Sequence, residues 1–172
     1  MDITQDGFLG GKLLLNQPKV GYRAGIDPVL LAAACPAQPG DHILELGCGV
    51  GVAGLCLAAR IPELKLFGVE IISEYAELAR ENASQNNFKF DVEVGNVSSQ
   101  PTPFYNLQFH QVIMNPPYFE AESSSASPEF GRASGRTEQV PLSHWCETAA
   151  KRLRPKGYLT LIQRVERLPD VL

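Results

Sequence analysis

The sequence has no apolar run approaching the ~20 residues that a membrane-spanning helix needs. Its opening, Met1-Asp2-Ile3-Thr4-Gln5-Asp6, carries no signal-peptide pattern. It has no paired cysteines either: Cys35, Cys48, Cys56 and Cys146 show no metal-binding spacing, and the three histidines are scattered. No metal site is expected, and the cysteines read as small buried residues of a reduced, cytoplasmic protein. There is no internal repeat and no excess of positive charge. The net charge of −4 does not announce a nucleic-acid binder. What is present is 172 residues, 44% of them hydrophobic and 20% charged, enough for one domain with a sizeable core. The charge is uneven. From Gly131 onward eight basic residues face four acids, so that end is +4 and the remainder −8. A basic end suits phosphates, and it equally suits a solvated surface.

Periodicity and punctuation divide the chain. Phe8 to Gln17 reads as short extended structure around Gly10-Gly11. Asp27-Pro28 is a helix start, with Asp as the cap and Pro at the first helical position. His42 to Leu46 reads as a strand that runs into Gly47-Cys48-Gly49-Val50-Gly51, followed by a helix from Ala53 to Arg60. Lys65 to Glu70 is the next strand. Ser73 caps a helix whose Ala76, Ala79 and Ala83 share one face, ended by Asn86-Asn87. Lys89 to Val94 and His110 to Met114 are two more strands. Leu142, Trp145, Cys146, Ala149 and Leu153 fall at helical spacing, and Arg154-Pro155-Lys156-Gly157 turns the chain into a last strand, Tyr158 to Val165. Strands alternating with helices predict an α/β fold with a parallel, doubly wound, Rossmann-like sheet. Ligands of such sheets sit at the carboxyl ends of the strands, near the topological switch.

Four candidate features follow strand ends. Glu45-Leu46-Gly47-Cys48-Gly49-Val50-Gly51 places glycines where backbone can approach a ligand and a helix N-terminus opens. A dinucleotide fingerprint would want Gly where Val52 stands, which disfavours hydride transfer. The Gly47, Gly49, Gly51 spacing, with Glu45 before it, suits a cofactor without a pyrophosphate, such as S-adenosyl-L-methionine. The plainer reading is a tight strand-to-helix turn. Glu70, 23 residues after Gly47, is placed to accept ribose hydroxyls, or is a surface carboxylate. Asn96, past the third strand, fits either an adenine edge or a turn after Gly95. Arg23 is a candidate partner for the cofactor's carboxylate, or a surface arginine. Cys48 reads as a filler within the loop.

The fourth feature is Asn115-Pro116-Pro117-Tyr118, after the apolar Val112-Ile113-Met114. Two prolines force an extended, rigid turn. An amide oxygen and a proline carbonyl can accept the two hydrogens of one exocyclic amine, and the tyrosine ring can stack on the heterocycle that bears it. Asn115, Pro116 and Tyr118 are therefore the candidate catalytic residues. Residues 119–139 are polar, with Ser123-Ser124-Ser125, Arg132 and Arg136, and are too long for an ordinary connection. They read as disorder or as a mobile functional loop whose arginines, with Tyr118, meet substrate.

These residues resemble the class I S-adenosylmethionine-dependent methyltransferases, and more narrowly the bacterial tRNA(Val) adenine-N6 methyltransferases. The likeness rests on Gln17-Pro18 through Gly21-Tyr22-Arg23-Ala24-Gly25-Ile26-Asp27 into Leu30-Leu31-Ala32-Ala33, on Glu45 to Leu55, and on Asn115 to Tyr118. It covers nearly the whole chain. The resemblance implies methylation of adenine N6 in tRNA, with RNA as partner. Guanine-N2 of rRNA, glutamine N5 of a protein, or a non-catalytic binding module on this fold remain the alternatives. The position of Asn96 is usually acidic in such relatives.

The resemblance also implies seven strands, the last two an antiparallel hairpin, whereas five are read here. The expectation is one methyltransferase domain over residues 1–172. Residues 1–36 would cap the cofactor site, residues 41–172 would form the core, and the C-terminal hairpin would be missing. The fifth strand, with Leu159, Leu161, Ile162 and Val165, would then offer an apolar edge and invite self-association.

Overall fold

The computed structural model describes residues 1–98, 104, 106–118 and 140–172. The chain opens with β1 (Ile3–Phe8) and β2 (Leu13–Pro18), an antiparallel hairpin closed by Gly11 N–H donating to the Phe8 carbonyl at 3.0 Å. β2 alternates buried and exposed residues, and its Leu13 and Leu15 reach the core. Then come α1 (Asp27–Ala34), β3 (His42–Leu46), α2 (Val52–Arg60), β4 (Lys65–Glu70), α3 (Ser73–Gln85), β5 (Phe90–Val94), β6 (Phe109–Met114), α4 (Leu142–Arg152) and β7 (Leu153–Leu161). A 3-10 helix, Val165–Asp170, follows.

Strands β3 to β7 form one parallel sheet in the order β5-β4-β3-β6-β7. The chain starts in the middle, winds outward through β4 and β5, then crosses back to β6 beside β3. That reversal puts the topological switch between β3 and β6. The sheet is buried on both faces, which is why its strands read as apolar runs. On one face Ile43 joins residues of the hairpin, α1, α2 and α3, among them Leu15, Leu31, Leu55 and Ala79. On the other, Leu44, Leu46 and Val112 pack against Leu142, Trp145 and Ala149 of α4. Full burial of each leucine contributes about 1.5–3 kcal/mol.

Two expected caps differ. Ile26 is the cap residue of α1, with no side-chain cap bond, so Asp27 is already helical and its carboxylate is used elsewhere. Likewise α3 is capped by Ile72, and the Ser73 hydroxyl donates to Glu74. The last strand begins at Leu153 rather than Tyr158. Phe109 pairs with Leu153 and Gln111 with Tyr158, so Arg154 to Gly157 is a bulge within β7, with Lys156 at φ 65°. Among the described residues there are seven strands. Five lie in the main sheet, and the other two are the N-terminal hairpin, not a hairpin added beside β7.

β7 is an edge strand among the described residues. It ends at Leu161 rather than Val165, and its apolar side chains are less open than expected: Leu159 and Leu161 pack on one core cluster and the following Ile162 on the other, whereas Val165, in the 3-10 helix, is exposed. Among the described residues no helix is long and apolar enough to cross a membrane, and no group of three or more His, Cys, Asp or Glu could hold a metal ion. The long polar segment with Arg132 and Arg136 lies outside the described residues.

Candidate functional site

Strand register assembles the site. Leu46 pairs with Val69 on one side and with Met114 on the other, so the next residues of the three strands, Gly47, Glu70 and Asn115, form one row across β4-β3-β6. Adjacent strands lie about 4.8 Å apart. Three sequence candidates thus stand side by side at the carboxyl edge, at the switch point.

On the β3 side the loop is held by its own polar groups. Glu70 is 6% exposed; its two oxygens accept Gly49 N–H at 2.8 Å and Ile72 N–H at 2.9 Å. It therefore ties the glycine loop to the start of α3. Glu45 accepts Gly54 N–H at 2.8 Å from beneath α2. Burial pushes the Glu45 carboxyl up to about 8 against the pull of that hydrogen bond, with the Glu70 charge adding a smaller push. Burial raises Glu70 as well. Cys48 is the filler it read as: it is buried, and burial followed by the charges of Glu45 and Glu70 drives its thiol well above the ordinary range.

Gly47, Gly49 and Gly51 all have positive φ. A Cβ on Gly47 would sit 2.6 Å from the Trp145 ring of α4, and one on Gly51 would crowd Phe90 and Ala79 at 3.2 and 3.3 Å. Two of the three glycines are therefore demanded by packing inside the protein. At Gly49 the nearest atom is Tyr22 Cε1, at an ordinary 3.7 Å.

The segment before α1 lies against this loop. Tyr22 N–H donates to the Tyr75 hydroxyl at 3.3 Å, and Ala24 N–H to Gln17 at 2.8 Å. Arg23 is bound to the hairpin: it pairs with Asp6 at 2.7 Å and donates to Thr4 and to the Pro18 carbonyl. Asn96 uses its carboxamide oxygen to accept Ser98 N–H at 2.8 Å, the turn role.

On the β6 side the Asn-Pro-Pro-Tyr turn is clamped at both flanks. Ile162 N–H donates to the Met114 carbonyl at 3.2 Å, and Gln163 Nε2 to the Pro117 carbonyl at 3.0 Å. The Tyr118 hydroxyl donates to Asp27 Oδ2 at 2.6 Å. Pro116 is buried. Within this framework Asn115 Oδ1 is shut off from solvent and has no hydrogen-bond partner, alone in this among the side-chain polar atoms of the described residues. Such an acceptor costs about 1–3 kcal/mol.

Sequence reasoning missed three polar residues here. Asp27 had a local reading as a cap that hid its long-range partner. Gln163 had no motif around it. Asn82 of α3 is fully buried and joins Asn16 of β2 to the Val50 carbonyl of the glycine loop, at 2.7 to 3.0 Å.

A glycine loop and a buried acid at adjacent ends of a parallel sheet, with an Asn-Pro-Pro-Tyr turn on the next strand, define the class I S-adenosylmethionine-dependent methyltransferases. The donor set fits that cofactor, because Glu70 offers a carboxylate for hydroxyls and Val52 replaces the glycine of a pyrophosphate cradle. The model of the methyltransferase small domain family matches residues 14–169, and the chain belongs to that family.

Among curated proteins it is 34% identical over 166 residues to the tRNA1(Val) (adenine(37)-N6)-methyltransferase of Porphyromonas gingivalis, covering 91% of this chain and 64% of that protein. It is 32% identical over 154 residues to the protein of the same name from Photorhabdus laumondii, covering 85% of this chain and 62% of that one. The chain thus spans less than two thirds of the length of these relatives. Among solved structures, a predicted O-methyltransferase from Agrobacterium tumefaciens matches with a TM-score of 0.61 at 28% identity, covering 84% of this chain and 64% of that one. TrmN from Thermus thermophilus matches with a TM-score of 0.61 at 19% identity, over 84% of this chain and 39% of that one, a likeness of fold.

Proposed function

We propose that this chain transfers a methyl group from S-adenosylmethionine to an exocyclic amine, adenine N6 of a tRNA. The observation that carries the reading is the buried, unpartnered Oδ1 of Asn115, one strand away from the glycine loop. An amine on a heteroaromatic ring is a weak nucleophile because its lone pair is delocalised. Asn115 Oδ1 and the Pro116 carbonyl accept its two hydrogens and draw the nitrogen toward tetrahedral geometry. Gln163 already donates to the neighbouring Pro117 carbonyl. Tyr118 stacks on the base, which must first leave its own stack. The bound cofactor supplies an electrophilic sulfonium methyl; this chain supplies positioning, and no strong general base is required.

On the cofactor side Glu70 takes the ribose hydroxyls, the backbone of Gly47, Gly49 and Gly51 lines the site behind Glu45, Arg23 meets the cofactor's carboxylate and Asn96 its adenine edge. Residues 1–36 cap it. RNA is the proposed partner, supported by the names of the two bacterial relatives, with Arg132 and Arg136 meeting its phosphates. Pairing with a second copy along β7 and a cytoplasmic compartment belong to the same proposal.

The test is Asn115→Ala. Turnover on a tRNA anticodon stem-loop should fall by roughly 100-fold or more, with the cofactor dissociation constant unchanged. Unchanged turnover removes Asn115 from the mechanism. Methylation of rRNA or of a protein instead of tRNA would replace the substrate and keep the chemistry.

A further inference from the structure

We propose that Asp27 is a positioning residue that acts through Tyr118. The inference rests on the amine-methylation reading and deepens it. The two residues are 91 positions apart, yet the Tyr118 hydroxyl meets Asp27 Oδ2 at 2.6 Å, the short distance of a charge-assisted bond. Asp27 is not needed as a cap, since Ile26 has that place. Its own anchorage is firm: Pro28 is buried beside it, and Leu31 and Ala32 of the same helix are 1% and 2% exposed.

The ring of Tyr118 turns about two torsions. A bond from its far end to a carboxylate on a packed helix fixes both, so the ring face is set before a base arrives. The turn that carries the ring is held independently, by Gln163 on the Pro117 carbonyl. Backbone and ring tip are thus fixed from different parts of the chain, Gln163 just after β7 and Asp27 of α1, neither of which belongs to the amine-accepting pair. The same strap also carries Tyr22, whose ring lies over Gly49. Residues 21–27 therefore run from the cofactor loop to the stacking ring. Asp27 places the ring plane relative to Asn115, and this is why a tyrosine with a hydroxyl, and not merely an aromatic ring, is required.

The experiment is a double-mutant cycle of Asp27→Ala and Tyr118→Phe on methyl transfer to the anticodon stem-loop, with Asp27→Asn as the conservative variant. Each single change should lower kcat by roughly 10- to 100-fold, with a smaller effect on KM, because the bond aligns a bound base. The double variant should lose no more than either single one. Asp27→Asn, whose amide oxygen still accepts the hydroxyl, should recover most of the rate. The cofactor dissociation constant should be the same in the wild type and in all four variants. A slowly exchanging Tyr118 hydroxyl proton should be seen by NMR in the wild type and in Asp27→Asn, and be lost in Asp27→Ala. Losses that multiply in the double variant, or an Asp27→Asn as slow as Asp27→Ala, overturn the positioning role while the methyl-transfer reading stands. A wild type that methylates no amine in tRNA, rRNA or protein overturns that reading, and the positioning role with it.

Discussion

The two halves of the crevice are built on opposite principles. At the ends of β3 and β4, both oxygens of Glu70 and one of Glu45 accept backbone N–H groups. At the end of β6, one strand away, the backbone is fixed by Ile162 and Gln163, just after β7, while Asn115 Oδ1 is left buried and unmatched. A satisfied network rigidifies, whereas an unsatisfied acceptor costs stability that must be offset elsewhere. The glycine loop is therefore held by its own contacts, and on the proposed reading the turn holds Asn115 Oδ1 in place at a standing cost, repaid only when an amine meets it.

The sharpest way to break this contrast is to alter one residue in each half and compare unfolding. Gly47→Ala forces a Cβ to 2.6 Å from the Trp145 ring at a φ of 64°. Overpacking costs about 1–3 kcal/mol and a left-handed alanine about 1–2 kcal/mol more. Denaturant unfolding should show a loss of at least ~2 kcal/mol, together with loss of cofactor binding. Asn115→Ala should instead leave the melting temperature level or slightly higher, since it deletes the orphaned acceptor. A melting temperature that drops for Asn115→Ala as it does for Gly47→Ala would mean that both halves are structural in the same sense.

A smaller effect is expected from Glu70→Ala. The carboxylate both holds the loop and, on the proposed reading, receives the ribose hydroxyls. Calorimetry should show cofactor affinity weakened by roughly 1.5–3 kcal/mol, the range for hydrogen bonds to charged groups. Loss of the Gly49 and Ile72 bonds should loosen amide protection in the loop and at the start of α3. An unchanged dissociation constant would confine Glu70 to the structural role that its two bonds already show.

Much of this was legible in the sequence where local signals agree. His42–Leu46 and Lys65–Glu70 read correctly to the residue, because their apolar runs are cut by glycine or acid at one end and by polar turns at the other. Gly47, Glu70 and Asn115 were singled out because each stands at the end of such a strand, and the parallel register puts them in one row. What was not legible depends on distance or on competition between local rules. Asp27 matched a cap pattern, and only the fold reveals that its partner is Tyr118. Asn82 looked like an ordinary helix residue, although burial makes it the link between hairpin and glycine loop. Arg154-Pro155-Lys156-Gly157 has the composition of a turn, and pairing to β6 on both sides of it turns the same residues into a bulge. The glycines illustrate a different limit. Their spacing pointed to a ligand, yet the Cβ positions at Gly47 and Gly51 are filled by the protein's own side chains.

The finest distinction between the halves is electrostatic. Glu45 is buried, and its carboxyl titrates near 8 in the folded protein. In the unfolded chain it ionises near the ordinary glutamate value, about 4.3. Between those values the folded state binds a proton that the unfolded state has released. Stability from this group is therefore complete below the unfolded value, declines as pH rises toward 8, and is level beyond it. Glu70, raised in the same direction, adds to the decline. Glu45→Gln keeps an oxygen for Gly54 N–H and removes the titration. A buried amide adds an offset that does not vary with pH, so the slope is the quantity to compare. Chemical denaturation from pH 5 to pH 8 should show a shallower fall in the variant than in the wild type, with the two curves converging in slope above pH 8. Equal slopes throughout would mean that Glu45 is ionised in the folded protein, and that the cofactor half carries an uncompensated charge of its own.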